Sequence, residues 1–421
     1  MADVRPLRAL HYDPARVGDL AEVVSPPYDV IDPGQRAALA GRNPHNVVAI
    51  DLPQGEDPYA AAADTFDAWR ADGVLVRDEE PAFWVLTQDY KGPDGSAYTR
   101  SGFFARIRVE PYGPGRIRPH ERTHPGPKED RLRLTRATTA NLSPIFALYD
   151  DPANAAWTAL APSTQAEPFA DVTDPDGTRH RLWRVADPGV LETVTQALAP
   201  SELLIADGHH RYETARVFAD EVGGDGPHRY VLACLVALQD PGLTVFPTHR
   251  LLTTLDDAGR DALGQEARRD WETELVDLDD LEPPPAGPGE PLQVGFLDTT
   301  FRNPLRLTLT NRAAVDDALP DRSQAYRELD TAVLEALVLK GTLGMSEDDI
   351  SHFNGLDYSR TTDEARERIL SGDVQAGYFM APTPVERIRD VAAAGEVMPP
   401  KSTFFYPKVL TGLLFHPLDE E

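Results

Sequence analysis

Residues 203–222 read LLIADGHHRYETARVFADEV. The apolar run 203–206 predicts a short buried strand, and the pattern of residues 212–222 predicts a helix. The residues between these two elements are Asp207, Gly208, His209, His210 and Arg211. Where a strand turns into a helix, free backbone N–H groups and the positive end of the helix dipole point outward together. The stretch therefore predicts an anion-binding junction in an α/β protein.

The side chains of this junction suit phosphate in different ways. Gly208 permits a positive φ angle or a close backbone approach, and the planar fork of Arg211 matches two phosphate oxygens. Asp207 is a candidate ligand for Mg²⁺ or a cap of the helix, while His209 and His210 are donors whose charge changes near neutral pH. The alternative is that Asp207 only caps the helix and that the histidines are polar surface residues.

A second segment, residues 117–131, reads IRPHERTHPGPKEDR. The density of His, Arg and Pro over residues 116–131 predicts a polar loop. Glu121 lies among cations that favour its ionised form, so it is a candidate general base. Lys128 and Arg131 are candidates to offset charge on a transferring phosphoryl group. The alternative is a solvated loop held by surface salt bridges.

A third segment, residues 398–408, reads MPPKSTFFYPK. Prolines flank two lysines, two hydroxyls and three aromatic rings, which predicts a rigid binding loop with rings available for stacking. The candidate binding residues are Lys401, Ser402, Thr403 and Lys408. The alternative is that the aromatic rings anchor the C-terminal tail by hydrophobic contact.

Composition limits the class of protein. The chain has 421 residues, a net charge of -28 and a pI of about 4.7. Such an acidic chain repels nucleic acid and negatively charged membrane surfaces, so neither is an expected partner. The single Cys234 excludes an internal disulfide, and no apolar segment resembles a signal peptide, so we expect a cytoplasmic protein. The oligomeric state is not encoded in any feature of the sequence.

The length predicts two or three domains of mixed α/β structure. We place an N-terminal α/β region at residues 1–110, a phosphate-binding core at 111–255 and a C-terminal α/β region at 256–421. Residues 83–90 and 98–109 predict a β-hairpin, and residues 326–339 predict one long helix.

Several motifs together resemble a known family. The chain is identified as a member of the bacterial domain of unknown function 1015 family by SPPYDVI, HPGPKEDR, ADGHHRYETA and MPPKSTFFYPKVLTGL. Within it, IRPHE followed by DGHHR resembles the ParB/sulfiredoxin-like superfamily and its free serine kinases. That resemblance implies a ParB/sulfiredoxin-like core, with Glu121 as base on a serine hydroxyl and residues 207–211 as the loop for nucleotide phosphates and metal.

The resulting hypothesis is Mg²⁺-assisted phosphoryl transfer between an adenine nucleotide, ADP or ATP, and serine or phosphoserine, in either direction. It requires Glu121 to face the helix start at Arg211. One rival is a hydrolase that binds Zn²⁺ or Mn²⁺ through His120, His124, His209, His210 and Asp207. Another rival is a nucleotide-controlled switch like other ParB-fold proteins, against which the charge of -28 argues.

Overall fold

The computed structural model describes residues 2–92, 95–114, 116–121, 125–287 and 289–419. The chain divides into two compact units. Unit 1 comprises Met1–Pro119, Thr123–Leu243 and Pro407–Glu421, and unit 2 comprises His120–Arg122 and Thr244–Tyr406. The C-terminal segment thus belongs with the N-terminal half of the chain. The division into three regions made from the sequence stays a prediction.

Unit 1 contains both strands and helices. Its strands up to residue 243 are β1 (Val4–Arg5), β2 (Leu10–Tyr12), β3 (Leu75–Arg77), β4 (Phe83–Lys91), β5 (Ala97–Arg108), β6 (Ile117–Arg118), β7 (Ala140–Asn141), β8 (Ile145–Tyr149), β9 (Ala170–Thr173), β10 (Arg179–Val185), β11 (Leu203–Asp207) and β12 (Tyr230–Ala237). Its helices are α1 (Pro14–Val17), α2 (Pro33–Arg42), α3 (Val48–Asp51), α4 (Pro58–Ala71), α5 (Pro125–Thr138), α6 (Ala155–Leu160), α7 (Pro188–Leu198) and α8 (His209–Val222).

Over the described residues, the main sheet of unit 1 has the strand order β6-β11-β8-β12-β5-β4-β10-β9, with β1 added against β5. The pairs β6–β11 and β8–β12 are parallel and the others are antiparallel, so the sheet is mixed. All eight residues of β12 are buried, as expected for a central apolar strand. The predicted α/β class with mixed sheets and the predicted β4–β5 hairpin are confirmed.

Helix α5 replaces part of a predicted loop. We expected residues 116–131 to be irregular, but the chain is helical from Pro125 onward. Leu132 and Leu134 are 7% and 3% exposed, and the helix packs on α4 and α8. The prediction was wrong for residues 125–131 because the apolar residues that anchor this helix follow the polar stretch, and because proline is well suited to a first helical turn.

Unit 2 is a second α/β body. Its strands are β13 (Thr244–Phe246), β14 (His249–Leu252), β15 (Trp271–Leu275), β16 (Gln293–Asp298), β17 (Leu305–Leu309), β18 (Leu356–Ser359), β19 (Ala376–Phe379) and β20 (Phe404–Tyr406). Its helices are α9 (Asp257–Asp270), α10 (Arg312–Ala318), α11 (Gln324–Arg327), α12 (Asp330–Leu334), α13 (Glu347–Ser351), α14 (Thr362–Ser371) and α15 (Val385–Ala393). Within the described ranges, six strands form an antiparallel sheet in the order β15-β17-β16-β19-β14-β18, and β13 pairs with β20.

The long helix predicted over residues 326–339 is broken. Helix α11 ends at Arg327 and α12 starts at Asp330, because Leu329 between them is extended (φ -77°, ψ 125°). Leu329 is 1% exposed, so tertiary burial of its side chain fixes this break. After α12 the chain continues as a π-helical turn, Glu335–Lys340.

The chain then returns to unit 1 and ends with β21 (His416–Pro417), which pairs with β7. Thr411 exchanges two backbone hydrogen bonds with Ser25, at 3.1 and 2.9 Å. The C-terminal segment is therefore tied to residues from the start of the chain. In the described ranges no helix has both the length and the apolar surface needed to cross a lipid bilayer.

Candidate functional site

The strand-to-helix junction predicted from residues 203–222 is present at the end of β11. The register of β11 against β8 shifts between Ile205 and Asp207, and such a bulge turns the side chain that follows it. Gly208 is the N-cap of α8 and has φ 90° and ψ 30°. A Cβ atom on Gly208 would lie 3.0 Å from Nε and 3.1 Å from Cζ of Arg211. Glycine is thus required both by the backbone conformation and by the guanidinium packed against it.

Asp207 does not cap α8, because its carboxylate binds two cations. Its Oδ2 accepts from Nη2 of Arg211 at 2.6 Å, and its Oδ1 accepts from Nζ of Lys408 at 2.6 Å. Burial alone would raise the pKa of Asp207, but the charges of Lys408 and Arg211 outweigh it and hold the pKa well below its usual value. The carboxylate is therefore ionised throughout the neutral range. The interpretation of Asp207 as a simple helix cap is wrong.

Arg211 is held from both sides. Its Nη1 donates to Oγ of Ser143 at 3.0 Å and to the carbonyl oxygen of Pro144, while Nη2 binds Asp207. Ser143 is itself bonded to the hydroxyl of Thr411 at 2.8 Å. Burial lowers the pKa of Arg211, but nearby carboxylates, Asp207 first, more than compensate and raise it. The guanidinium is a permanently charged group with a fixed orientation.

The two histidines of the junction differ in environment. His209 is 7% exposed, whereas His210 is half-buried. After Lys408 and Arg211, the charge of a protonated His209 also lowers the pKa of Asp207. The imidazole therefore lies within electrostatic range of the carboxylate. The alternative that both histidines are polar surface residues is wrong for His209.

A second charged group of unit 1 surrounds Arg131 on α5. Arg131 is 6% exposed and donates from Nη1 to Oδ1 of Asp51 at 3.1 Å and from Nη2 to Oδ2 of Asp130 at 2.6 Å. Its Cζ lies 4.3 Å from the ring centre of Tyr28, a cation–π contact. Burial raises the pKa of Tyr28 to about 12, although Arg211 and Arg131 oppose that rise, so Tyr28 is a neutral phenol.

A small cavity joins these two groups. It has a volume of about 30 Å³, and its lining includes Asp51, Arg131, Ser143, Arg211 and Thr214. In the described part of the chain, Oδ2 of Asp51 and Nε of Arg211 are buried without a hydrogen-bond partner. A polar cavity of this size has room for about one or two water molecules. An acceptor and a donor without protein partners are the groups that such water satisfies.

Glu121, Lys401, Ser402 and Thr403 lie in unit 2. Glu121 forms a β-bridge with Met398, and its Oε1 accepts from the backbone N–H of Lys401 at 3.3 Å. Lys401 is exposed and has a positive φ of 57°, uncommon for a residue with a side chain. Ser402 is 4% exposed and donates to the carbonyl oxygen of Pro399 at 2.7 Å.

Thr403 and His120 lie beside Ser402 and Glu121 in the sequence and contact each other, because Nε2 of His120 lies 2.7 Å from Oγ1 of Thr403. The structure thus joins the IRPHE and MPPKST motifs through hydrogen bonds within unit 2. Glu121 and Arg211 belong to different units, so their meeting stays a prediction.

Lys128 lies near the start of α5, and its carbonyl oxygen accepts from the hydroxyl of Thr214 on α8 at 3.4 Å. Its ammonium group stays a predicted phosphate ligand. Sequence analysis did not single out Asp51 or Ser143, and it included Tyr28 only within the family motif SPPYDVI. The SPPYD motif was the only signal for Tyr28, while a lone Asp and a lone Ser carry no pattern that would single them out.

Asp207 does not fit a direct metal ligand in this arrangement, because both of its oxygens already bind cationic groups. Where the structure describes the chain, no cluster of three or more His, Cys, Asp or Glu side chains is arranged to hold a metal ion. His124, one of the ligands in the hydrolase hypothesis, lies outside the described residues.

Comparisons with known proteins identify a family and several solved structures with low similarity to this chain. A family model described as "Protein of unknown function (DUF1015)" matches residues 4–332. A conserved hypothetical protein from Pyrococcus furiosus is similar in structure, with a TM-score of 0.36 and 13% identity over 72% of this chain and 90% of that chain. A free serine kinase in complex with AMP has a TM-score of 0.37 and 13% identity over 72% and 86%.

SbnI with a C-terminal truncation, from Staphylococcus aureus, has a TM-score of 0.37 and 12% identity over 73% of this chain and 85% of that chain. A free serine kinase variant in complex with ADP is similar at a TM-score of 0.38 and 12% identity, over 72% of this chain and 87% of that chain. No curated protein matches the chain.

Proposed function

We propose, from the premise that the chain belongs to the DUF1015 family, that it is a phosphotransferase acting between an adenine nucleotide and a small hydroxy-amino acid. Serine or phosphoserine is the substrate that the sequence resemblance favours, and transfer in either direction is compatible with the site. The observation that supports the proposal most is the contact of one carboxylate, Asp207, with two cations, Arg211 and Lys408, at the start of α8.

The charge of this group favours an anion. Asp207 contributes one negative charge, while Arg211 and Lys408 contribute two positive charges. Cations at a helix N-terminus are disfavoured by the helix dipole, which itself is positive there. The residual positive charge and the dipole would both be compensated by a bound phosphate group. Gly208, which has no side chain, leaves the backbone at the N-cap open to close approach.

Roles are also proposed for the other residues that the sequence singled out. Glu121 is the proposed general base on the substrate hydroxyl. His209, His210 and Lys128 are proposed to contact phosphate oxygens. Lys401, Ser402 and Thr403 are proposed to bind the nucleotide.

Arg131 is proposed to act through its charge, because Asp51 and Asp130 already occupy its N–H groups. Mg²⁺ is proposed to arrive with the nucleotide phosphates, where it would neutralise their charge. No part of the mechanism uses a metal at Asp207. The protein groups position the phosphoryl donor and acceptor and compensate developing charge, which is most of what phosphoryl transfer requires.

The test is a set of incubations followed by ³¹P NMR. Purified protein is given serine with ADP or ATP, and separately phosphoserine with and without ADP, each with Mg²⁺. We expect turnover in at least one mixture and about 100-fold slower turnover in Arg211→Gln. Arg136→Gln is the matched control, because Arg136 is an exposed arginine paired with Glu221. A folded wild-type protein without turnover in any mixture would refute the assignment.

A further inference from the structure

The backbone that presents Lys408 is anchored inside the main sheet of unit 1. Nε2 of Gln88, on β4, donates to the carbonyl oxygen of Lys408 at 3.1 Å. Nη2 of Arg100, on β5, donates to the carbonyl oxygen of Pro407 at 2.5 Å. Two successive carbonyl groups of the C-terminal segment are therefore held by side chains of neighbouring strands, directly beside the ammonium group that binds Asp207.

Arg100 is an unusual residue for a sheet interior. It is 1% exposed, and the atoms that accept its hydrogen bonds belong to neutral groups, the amide of Gln88 at 3.0 and 2.5 Å and the carbonyl of Pro407. Its Cζ lies 4.5 Å from the ring centre of Phe146. Burial lowers the pKa of Arg100. An apolar side chain would be less costly at such a position, so the fold gains little from the charge itself.

Gln88 has its amide orientation fixed from the other side. Its Nε2 lies 3.2 Å from Nδ1 of His180, and Nε2 of His180 lies 3.0 Å from Oδ2 of Asp174. Since the carboxylate of Asp174 accepts, His180 donates from Nε2 and accepts at Nδ1 from the amide of Gln88. The amide oxygen must then face Arg100, and the second amide hydrogen is left for Lys408. The chain of bonds permits only one orientation of the Gln88 amide.

From this geometry we propose that Arg100 and Gln88 are positioning residues that hold Lys408 at the phosphate site. The inference deepens the proposed function and rests on it for the role of Lys408, though the anchoring itself is a property of the fold. A lysine side chain has many rotamers and loses little by leaving one ion pair. Fixing the main chain at Pro407 and Lys408 limits the positions that the ammonium group reaches.

Gln88→Glu separates this role from a purely structural one. The variant keeps an oxygen for Arg100 and gives that buried cation a counter-charge, so the sheet should remain folded. Gln88→Glu removes the N–H group that donates to the carbonyl oxygen of Lys408 and puts a carboxylate oxygen in its place. The two oxygens repel each other, so the main chain at Lys408 loses this anchor. Arg100→Lys is the second variant, because it keeps the charge but has no planar fork to bind Gln88 and Pro407 together. Arg179→Gln is the control, since Arg179 is an exposed arginine of the same sheet paired with Asp171.

The first measurement is the labelling rate of Lys408 by trace acetic anhydride, read by mass spectrometry and divided by that of exposed Lys91 on β4. Ion pairing slows labelling, so we expect the ratio to rise about threefold or more in Gln88→Glu and in Arg100→Lys. The ratio should stay unchanged in Arg179→Gln. An unchanged ratio in either folded variant overturns the proposal.

The second measurement is the Kd for ADP in the wild type, Gln88→Glu, Lys408→Met and the double variant, by calorimetry. If Gln88 acts through Lys408, Gln88→Glu weakens binding about fivefold or more alone but adds nothing to Lys408→Met. Equal losses in both backgrounds overturn the positioning role. If the wild-type protein neither binds ADP nor transfers phosphate, the proposed function is refuted. The labelling ratio of Lys408 then still tests whether Gln88 and Arg100 anchor it.

Discussion

Nζ of Lys408 lies 2.6 Å from Oδ1 of Asp207, although the two residues are 201 positions apart in the sequence. This ion pair links the C-terminal segment to the end of β11. With Arg211 on the other carboxylate oxygen, Asp207 joins two cations that would otherwise repel each other. The C-terminal segment is therefore part of the candidate site and not only an anchor for the tail.

Removing the ammonium group of Lys408 should weaken nucleotide binding. In Lys408→Met the side chain keeps its length but leaves Asp207 with Arg211 alone, so the site loses one positive charge. We expect the Kd for ADP to rise about 10-fold to 100-fold, because this is the change in Kd that corresponds to the free energy of one charge-assisted hydrogen bond. Calorimetry measures the Kd, and Lys91→Met, at an exposed position of β4, should bind like the wild type. An unchanged Kd in Lys408→Met would remove Lys408 from the site.

A side chain at position 208 should be harmful for two reasons. Gly208→Ala forces a Cβ atom into a backbone with φ 90° and within 3.0–3.1 Å of the Arg211 side chain. We expect the free energy of unfolding to fall by about 1–2 kcal/mol, and ADP binding to weaken as Arg211 moves. Urea denaturation measures the first effect.

The matched control is Gly41→Ala in α2, where nothing lies within 4 Å of the new Cβ. That substitution should stabilise the protein by up to about 1 kcal/mol, because alanine favours a helix. Equal effects of the two substitutions would contradict the proposed strain at Gly208.

The proposed base should affect turnover more than binding. Glu121→Gln keeps an oxygen that can accept from the N–H of Lys401, so the local structure of unit 2 should survive. We expect kcat to fall about 100-fold or more with little change in the KM for nucleotide. Steady-state kinetics tests this, with exposed Glu221→Gln as control. A wild-type kcat in Glu121→Gln would show that the base is another group.

Asp240 should make the stability of the protein depend on pH. Burial raises the pKa of Asp240 to about 6, although N–H groups of Gly242 and Ser101 donate to its carboxylate. A raised folded-state pKa means that the stabilising contribution is present below the unfolded-state pKa and is lost as pH rises through about 6. The wild type should therefore lose on the order of 1–2 kcal/mol relative to Asp240→Asn between about pH 4.5 and 7.5.

Urea denaturation at several pH values measures this difference. Asp171→Asn is the control, because a hydrogen bond from Arg179 lowers the pKa of Asp171, so its contribution to stability is lost only as pH falls into the acid range and stays nearly constant above it. A stability difference between wild type and Asp240→Asn that does not change with pH would contradict the raised pKa.

The local elements of the candidate site could be predicted from short stretches of sequence. The β4–β5 hairpin and the β11–α8 junction follow from apolar patterns and from turn residues beside them, which are signals within about 20 residues. The helical start of α5 could not be predicted in this way, because its buried anchors, Leu132 and Leu134, lie beyond the polar segment. The break at Leu329 depends on tertiary burial of its side chain, which no local pattern records.

The residues that pair with each buried charged side chain could not be predicted from the sequence. Arg131 is predicted to offset charge on a transferring phosphoryl group, and no pattern in the sequence indicated that it is bonded to Asp51 and Asp130 within unit 1. Tyr28 entered the sequence analysis only as part of the family motif SPPYDVI, and the structure places its ring centre 4.3 Å from Cζ of Arg131. Charged groups find partners through space, at positions that the folded backbone sets, so their pairing has no signature in residue spacing.

The sequence by itself determined the α/β class, the family and the position of the strand-to-helix junction at residues 207–211, because hydrophobic periodicity and glycine at a strand end act locally. Only the tertiary structure decided that Asp207 binds Lys408 and Arg211 instead of capping α8, and that Gln88 and Arg100 donate to the carbonyl oxygens of Lys408 and Pro407. Those contacts join residues far apart in the chain, and their energies depend on burial and on distances of about 3 Å that exist only after folding.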